Sequence, residues 1–243
     1  MLPVRIDICC LALEAEPPLV AAARTLLSAD EVSRADRFAF PRHGQAFTLS
    51  RAALRLLLAE RTGVAANALT FEYGPEGKPS LTADMAGPWR FNVSDSGALL
   101  ACAFVHGVDL GIDIEQHRPL RYREDLAERF FAPEECADLL AFPDDERARA
   151  FFDCWARKEA FIKADGRGMR IPLDSFRVSL EAAPSGSALL GCRDEEGPLH
   201  AWLLQPFNVA PGYSGALAIR AAAVDVAIRH TTTRDLFAGS GLL

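Results

Sequence analysis

The longest helical pattern in the chain covers residues 124–164 and lies between two groups of strand-like segments. Pro133 and Pro143 interrupt this pattern and Gly166 ends it, so the sequence predicts several successive helices. The chain has 243 residues, which at about 150 residues per domain makes one large domain or two small ones. We therefore expect a mixed α and β architecture without the regular βαβ alternation of a doubly wound sheet.

Before that region, a strand pattern at residues 4–13 opens the chain, and Ser28 precedes a polar run typical of a capped helix. A longer helix is predicted from Gly44 to Arg61, because apolar residues recur there at helical spacing, and Gly63 ends it. Strands are predicted next at 91–93, 99–105 and 108–115, and the short turns between them favour antiparallel pairing of neighbours. After the helical region, strands are predicted at 176–180, 199–204 and 216–226.

Composition excludes several classes of protein. The chain carries 26 basic and 33 acidic residues, a net charge of −7, which is the wrong sign for general nucleic-acid binding. No stretch approaches the roughly 18 apolar residues that span a bilayer, and the start has no basic region typical of a signal peptide. The six cysteines form no CxxC pair, so we expect ordinary thiols in a reducing cytoplasm.

The segment 111–115, with the sequence GIDIE, alternates acidic and apolar residues. Residues two apart share one face of a strand, so Asp113 and Glu115 point one way while Ile112 and Ile114 point into the core. Two carboxylates about 6–7 Å apart suit a hard cation such as Mg²⁺. A solvated polar face on an edge strand explains the same pattern, and the pentapeptide alone leaves both interpretations open.

A second segment, residues 152–168, carries Trp155, Glu159 and Lys163 at spacings of four, which places them on one face of a helix. Glu159 and Lys163 are either catalytic groups or an exposed ion pair worth a few tenths of a kcal/mol. This segment alone does not decide between the two.

Together, GIDIE, then WARKEAFIK at 155–163 and GRG at 166–168 resemble the signature of 4′-phosphopantetheinyl transferases of the surfactin-synthetase-activating type. Supporting motifs occur in the same order across most of the chain: SRAALR at 50–55, GKP at 77–79, FNVS at 91–94, RFFAPEE at 129–135 and IPLDSF at 171–176. The resemblance implies an α+β fold in which two similar halves form a pseudo-dimer. By that likeness the halves are residues 1–107, with coenzyme A contacts, and 108–243, with the metal and catalytic residues.

The implied activity is Mg²⁺-dependent transfer of the phosphopantetheine arm of coenzyme A to a serine of an apo acyl or peptidyl carrier protein, with release of adenosine 3′,5′-bisphosphate. We expect a monomer that binds neither nucleic acid nor membrane. The alternative is a module that binds coenzyme A or a carrier protein without turnover.

The resemblance also implies roles for individual residues. Its metal ligands correspond to Asp113, Glu115 and Glu159, and its helix lysines to Lys158 and Lys163. Chemically, Glu159 is either a metal ligand alone or also the base that takes the serine proton, directly or through water. Lys163 either neutralises the developing phosphate charge or protonates the leaving bisphosphate, and the sequence leaves these alternatives open. The residues expected to contact coenzyme A are Arg34, Arg42, Arg51, Lys78, Ser94 and Lys158.

One position departs from the family pattern, which has histidine where this chain has Asp95. An aspartate close to 4 Å from a phosphate is repelled by about 1–4 kcal/mol without screening. We therefore expect Asp95 to weaken coenzyme A binding unless it turns toward a neighbouring arginine.

Overall fold

Two sheets with matching strand order form the centre of the molecule, which the computed structural model describes over residues 2–181, 187–192 and 201–243. With strands numbered along the chain, the first sheet contains, in spatial order, β11 (Val224–Thr232), β1 (Val4–Ala12), β5 (Leu99–His106) and β4 (Trp89–Ser96). The second sheet contains β6 (Leu110–Gln116), β10 (Tyr213–Arg220) and β9 (Trp202–Pro206). Two hairpins lie outside these sheets, β2 (Phe71–Tyr73) with β3 (Pro79–Leu81) and β7 (Phe176–Val178) with β8 (Leu189–Cys192).

The two long helices end at the glycines that the sequence predicts, although the first begins at Pro41 and not at Gly44. Three short helices, Pro17–Arg24, Ala83–Ala86 and Thr233–Gly239, were not predicted. The two long helices, α3 (Pro41–Thr62) and α7 (Asp144–Asp165), each have 22 residues. Each ends at a glycine in the left-handed conformation, Gly63 at φ 74° and Gly166 at φ 88°. The other helices of the described residues are α1 (Pro17–Arg24), α2 (Ala29–Asp36), α4 (Ala83–Ala86), α5 (Arg123–Phe130), α6 (Pro133–Ala141) and α8 (Thr233–Gly239).

The two halves repeat one arrangement of strands. The antiparallel order β1-β5-β4 of the first sheet matches β6-β10-β9 of the second. When the eight-residue strands β5 and β10 are aligned, Trp89 corresponds to Trp202 and Cys9 to Asp113. The pseudo-dimer of α+β halves implied by the resemblance is therefore confirmed.

A buried ion pair stands at the same place in each half. Glu31, the third residue of α2, binds Arg55 on α3 at 2.8 Å, and Glu135, the third residue of α6, binds Lys158 on α7 at 2.7 Å. Counted from the first residue of their helices, Arg55 and Lys158 both stand fifteenth. Each glutamate also accepts a hydrogen bond from the backbone N–H that precedes its helix. One carboxylate thus caps a short helix and anchors a long one.

Each long helix covers one face of its sheet, and the remaining faces pack against each other. Ile6 and Ile8 of β1 meet Ile112 and Ile114 of β6 in this central layer, and all four are at most 1% exposed. Burial of side chains of this size stabilises the folded chain by about 1.5–3 kcal/mol each relative to exposure. The layer therefore holds the halves together and fixes the orientation of β6.

The end of the chain returns to the first half. Strand β11 pairs in parallel with β1 over the whole length of both strands, and Leu236 and Phe237 of α8 join the core beneath α3. The backbone N–H of Glu14 donates to the hydroxyl of Thr233 at 3.1 Å. Sequence reasoning did not anticipate this return, and the division into residues 1–107 and 108–243 stays a prediction.

Two expectations about strands are wrong. β4 and β5 pair as expected, but β6 pairs with β10 instead of β5 because the chain crosses to the second sheet at Gly107. The pattern at 216–226 belongs to two strands, β10 and β11, since β10 ends at Arg220. Part of the strand expected at 199–204 lies outside the described residues. Among the described helices, none combines the length and apolar character needed to cross a membrane.

The returning segment predicts a stability effect. Phe237 is fully buried, so Phe237→Ala leaves a cavity and lowers the free energy of unfolding by about 3–5 kcal/mol, measured by urea denaturation. Leu243→Ala, at a residue that is 54% exposed, is the control and changes it by less than about 0.5 kcal/mol. Equal effects of the two substitutions would contradict the packing of α8 against the first half.

Candidate functional site

The close approach of α7 to β6 creates the site, and Gly111 permits that approach. A Cβ atom at residue 111 would stand 2.1 Å from the carbonyl oxygen of Ala160 and 2.4 Å from the nitrogen of Ala164. Any side chain there would push the helix away from the strand. The glycine of the GIDIE motif thus brings Glu159 and Lys163 of α7 beside the carboxylates of β6.

Asp113 lies at the centre of the group and is 4% exposed. Its Oδ1 accepts hydrogen bonds from Nζ of Lys163 at 2.6 Å and from the hydroxyl of Ser94 at 2.8 Å. Its Oδ2 is buried and has no hydrogen-bond partner among the described residues. Burial raises the pKa of Asp113, and Lys163 opposes that shift. An unpartnered buried carboxylate oxygen is costly, and a bound cation would relieve that cost.

Glu115 and Glu159 share this environment. Burial raises the pKa of each glutamate, and the charge of Asp113 raises both further. Three carboxylates therefore repel one another around one ammonium group, that of Lys163. Their oxygens do not yet converge, since no three His, Cys, Asp or Glu side chains of the described residues are close enough to hold a metal ion. The donor set has the chemistry that Mg²⁺ requires, and convergence requires rotation of the side chains.

Lys78 connects the hairpin of the first half to this group. Its Nζ donates to the carbonyl oxygens of Leu110 at 3.0 Å and of Lys163 at 2.8 Å. Burial lowers the pKa of Lys78, while the charge of Asp109 opposes that shift. The lysine borders a cavity of about 360 Å³, which Glu159 and Lys163 also line, and a neighbouring cavity of about 420 Å³. One of its three N–H groups remains available to a ligand in these cavities.

The three predicted arginines lie on aromatic rings of the first half. The guanidinium groups of Arg34 and Arg51 stand 5.0 and 5.7 Å from the ring centre of Phe47, and that of Arg42 stands 5.0 Å from Phe40. Arg34 and Arg42 are exposed. Arg51 is 8% exposed and already donates to the hydroxyl of Tyr73 at 2.6 Å, while Glu31 lies 3.6 Å away.

Lys158 is not brought to the site. Its side chain is fully buried, and its ammonium binds the carboxylate of Glu135 and the carbonyl oxygens of Leu173 and Phe176 at 2.7, 2.7 and 2.8 Å. All three N–H groups are used, so none remains for a phosphate. Residue type and spacing alone cannot separate this lysine from Lys163, which follows it by five residues on the same helix.

Strand β4 contributes residues that sequence reasoning missed. Asn92, Ser94 and Ser96 face β6, and only Ser94 was expected at the site. Asp95 belongs to the other face of the strand, is exposed and makes no ion pair among the described residues. The signal that could have found the polar face is the alternation N-x-S-x-S at 92–96, directly before the turn at Gly97.

Comparisons with known proteins match both halves. The family model described as 4′-phosphopantetheinyl transferase superfamily matches residues 109–219, and the one described as 4′-phosphopantetheinyl transferase, N-terminal, matches residues 15–106. The 4′-phosphopantetheinyl transferases HetI of Nostoc and Sfp of Bacillus subtilis are 42% and 37% identical to this chain over 155 and 148 residues. These matches cover 63% and 61% of this chain and 65% and 60% of the relatives.

A longer match extends over most of the chain. The 4′-phosphopantetheinyl transferase psf-1 of Bacillus pumilus is 32% identical over 197 residues, which are 81% of this chain and 80% of the relative. The chain thus spans less than two thirds of the length of HetI and Sfp and four fifths of that of psf-1.

The placement of Lys158 predicts that its loss affects stability more than ligand binding. Lys158→Met leaves Glu135 buried without its partner and lowers the free energy of unfolding by about 3–5 kcal/mol, measured by urea denaturation. The double variant Lys158→Met/Glu135→Gln removes both charges and keeps an amide oxygen for the backbone N–H groups of Ala132 and Val178, so it regains part of that loss. Calorimetry on the double variant then tests whether Lys158 is structural. The double variant is expected to bind coenzyme A within about threefold of the parent. Loss of binding in this folded variant would restore Lys158 to the ligand site.

Proposed function

This chain belongs to the 4′-phosphopantetheinyl transferase superfamily, and we propose that it transfers the phosphopantetheine arm of coenzyme A to a serine of an apo acyl or peptidyl carrier protein. In this reaction the serine hydroxyl oxygen forms a bond to the phosphorus that carries the pantetheine. The bond from that phosphorus to adenosine 3′,5′-bisphosphate breaks, and the serine proton passes to a base. The buried Oδ2 of Asp113, which has no hydrogen-bond partner among the described residues, is the observation that supports this site most strongly.

We propose that Asp113, Glu115 and Glu159 hold Mg²⁺. Asp113 supplies a buried oxygen that lacks a partner among the described residues. Burial raises the pKa values of both glutamates, and the charge of Asp113, which a divalent cation would offset, raises them further. When bound, Mg²⁺ supplies charge neutralisation at the pyrophosphate oxygens. Oδ1 of Asp113 keeps its hydrogen bonds to Lys163 and Ser94, so a cation at Oδ2 requires neither bond to break.

Glu159 and Lys163 are the proposed catalytic residues. Glu159 lines the cavity beside Lys163, so its carboxylate stands where it could remove the serine proton. Lys163 is 29% exposed at its side chain and lines the same cavity, so its ammonium can turn from Asp113 to the phosphate oxygens that gain charge.

Coenzyme A is proposed to lie across the two halves. Lys78 offers one free N–H group beside the catalytic residues, and Ser94 already contacts Asp113. The exposed guanidinium groups of Arg34 and Arg42, together with Arg51, suit a terminal phosphate and an adenine ring. Lys158 is left out of this set because its ammonium is saturated.

The compartment and assembly state follow as further proposals. The buried free cysteines Cys9, Cys102 and Cys154 suit a reducing cytoplasm, where their raised pKa values keep them as inert thiols. We propose that the chain acts as a monomer, because one polypeptide supplies both Lys78 and the pair Glu159 and Lys163 that line the cavity of the proposed site.

The direct test incubates the full chain with coenzyme A, Mg²⁺ and a panel of apo carrier proteins, and then measures the mass of each carrier. A gain of one phosphopantetheine unit is expected, with none when EDTA removes the metal. Binding of coenzyme A without any transfer across the panel would favour the alternative of a module that does not turn over. Absence of both binding and transfer would reject the proposal.

Replacement of Glu159 is expected to separate activity from stability. Glu159→Gln removes the proposed base and a metal ligand, so the transfer rate falls by at least about 100-fold. Burial and the charge of Asp113 raise the pKa of Glu159 in the folded chain above its pKa in the unfolded chain, which is about 4.3. As the pH rises above that unfolded pKa, Glu159 therefore lowers the free energy of unfolding relative to a neutral side chain. Without Mg²⁺ the variant is therefore more stable than the parent at pH 7, and the difference shrinks toward pH 4. Urea denaturation across pH measures this, with the exposed Glu128→Gln as control.

Asp95→His is expected to strengthen coenzyme A binding. Asp95 is exposed, so its repulsion of a nearby phosphate is screened and is worth about 0.2–1 kcal/mol. The dissociation constant measured by calorimetry should fall by about 1.4- to fivefold, and Asp84→Asn, at another exposed acidic residue, should leave it unchanged. Unchanged or weaker binding by Asp95→His would show that Asp95 does not oppose the ligand.

A further inference from the structure

Strand β6 has a backbone partner on one edge only. It pairs with β10, and no strand of the described residues forms a ladder with its other edge. That edge is nevertheless buried, and its N–H groups donate to side chains of β4. Ile112 donates to Oδ1 of Asn92 at 2.8 Å, Ile114 to Oγ of Ser94 at 3.3 Å, and Gln116 to Oγ of Ser96 at 3.0 Å.

The two serines make a second bond that a backbone partner could not make. Ser94 donates its hydroxyl to Oδ1 of Asp113 at 2.8 Å, and Ser96 donates to Oε2 of Glu115 at 3.1 Å. Each hydroxyl therefore accepts from the strand and donates to the carboxylate one residue earlier. A backbone carbonyl in the same place would accept the N–H but has no proton to give.

The corresponding edge in the first half shows the contrast. There β1 pairs on one side with β5 and on the other with β11, and both pairings use backbone groups. The positions that correspond to Asp113 and Glu115 are Cys9 and Leu11, which need no hydroxyl donor. The serine ladder thus occurs only in the half that carries the carboxylates.

The turn after β4 holds Ser96 in place. Gly97 has a φ of 59°, and a Cβ atom there would stand 2.3 Å from Oε1 of Gln116 and 2.7 Å from the hydroxyl of Tyr213. The turn thus packs closely on two residues of the second sheet, which limits the distance that Ser96 can move from Glu115.

Resting on the proposed function, we propose that Ser96 is a positioning residue that fixes the carboxylate of Glu115 from across the boundary between the halves. Its hydroxyl bonds one carboxylate oxygen and leaves the other for a cation. Ser96 does not contact the substrate, and it acts only through Glu115. A hydrogen bond of this kind to a metal-ligating carboxylate contributes to metal affinity as well as to geometry.

The test compares Ser96→Ala with Ser96→Thr, which keeps the hydroxyl. We expect Ser96→Ala to weaken Mn²⁺ binding, followed by electron paramagnetic resonance in the presence of coenzyme A, by about tenfold. Ser96→Thr should bind Mn²⁺ within about threefold of the parent, since its hydroxyl can make the same bonds. Transfer assays should show a lower kcat for Ser96→Ala at saturating coenzyme A and carrier.

Ser175→Ala is the matched control, because Ser175 donates its hydroxyl to the carbonyl oxygen of Pro172 at 2.7 Å, away from the carboxylates. It should lose stability without change in Mn²⁺ affinity. Parent-like Mn²⁺ binding by Ser96→Ala, or equal weakening by both Ser96 variants, would overturn the positioning role. The parent protein separates failure of the positioning role from failure of the proposed function. If the proposed function is wrong, the parent binds Mn²⁺ but transfers no phosphopantetheine.

Discussion

The site depends on one buried edge of β6, which has no strand partner among residues 2–181, 187–192 and 201–243. The outer edge of β6 must satisfy its backbone groups, because an unpaired buried N–H or carbonyl group costs about as much as a lost hydrogen bond. Side chains satisfy these groups. The N–H groups donate to Asn92, Ser94 and Ser96. The carbonyl of Leu110 accepts from Lys78, and that of Ile112 accepts a weak bond from Lys163 at 3.3 Å. The groups that close this edge are therefore the ones that join the two halves and surround the carboxylates.

The pseudo-symmetry explains how one frame supports different chemistry in its two halves. The equivalent pairs Glu31–Arg55 and Glu135–Lys158 anchor both long helices in the same way. The edge strands then differ, since β11 closes β1 with backbone bonds while β4 closes β6 with side chains. Because each half has its own anchoring ion pair, α7 is anchored through the pair Glu135–Lys158. Neither anchoring ion pair involves Glu159 or Lys163.

Sequence patterns predicted what is local and missed what depends on partners distant in the chain. The strand at Asp113 and Glu115, the helix at Glu159 and Lys163, and the proline and glycine boundaries follow from periodicity and capping. The return of β11 to β1 was not predictable, because the pairing joins the two ends of the chain and its strand pattern merges with that of β10. The role of Lys158 was missed for a similar reason, since its partner Glu135 lies on another helix.

Buried charged groups with a structural role differ from those of the proposed site in whether their hydrogen bonds are complete. Burial and residue type do not distinguish the two kinds of group. Lys158 and Asp113 are both buried charged groups that stand beside an opposite charge. Every N–H of Lys158 has an acceptor, so its environment is closed and a ligand would have to break a bond to reach it. Oδ2 of Asp113 has no donor in the part of the chain that the structure describes, so a ligand there gains a bond and breaks none. The frame thus supplies the stability that allows the site to hold an unsatisfied carboxylate, and in the proposed function a cation is the partner that this carboxylate lacks.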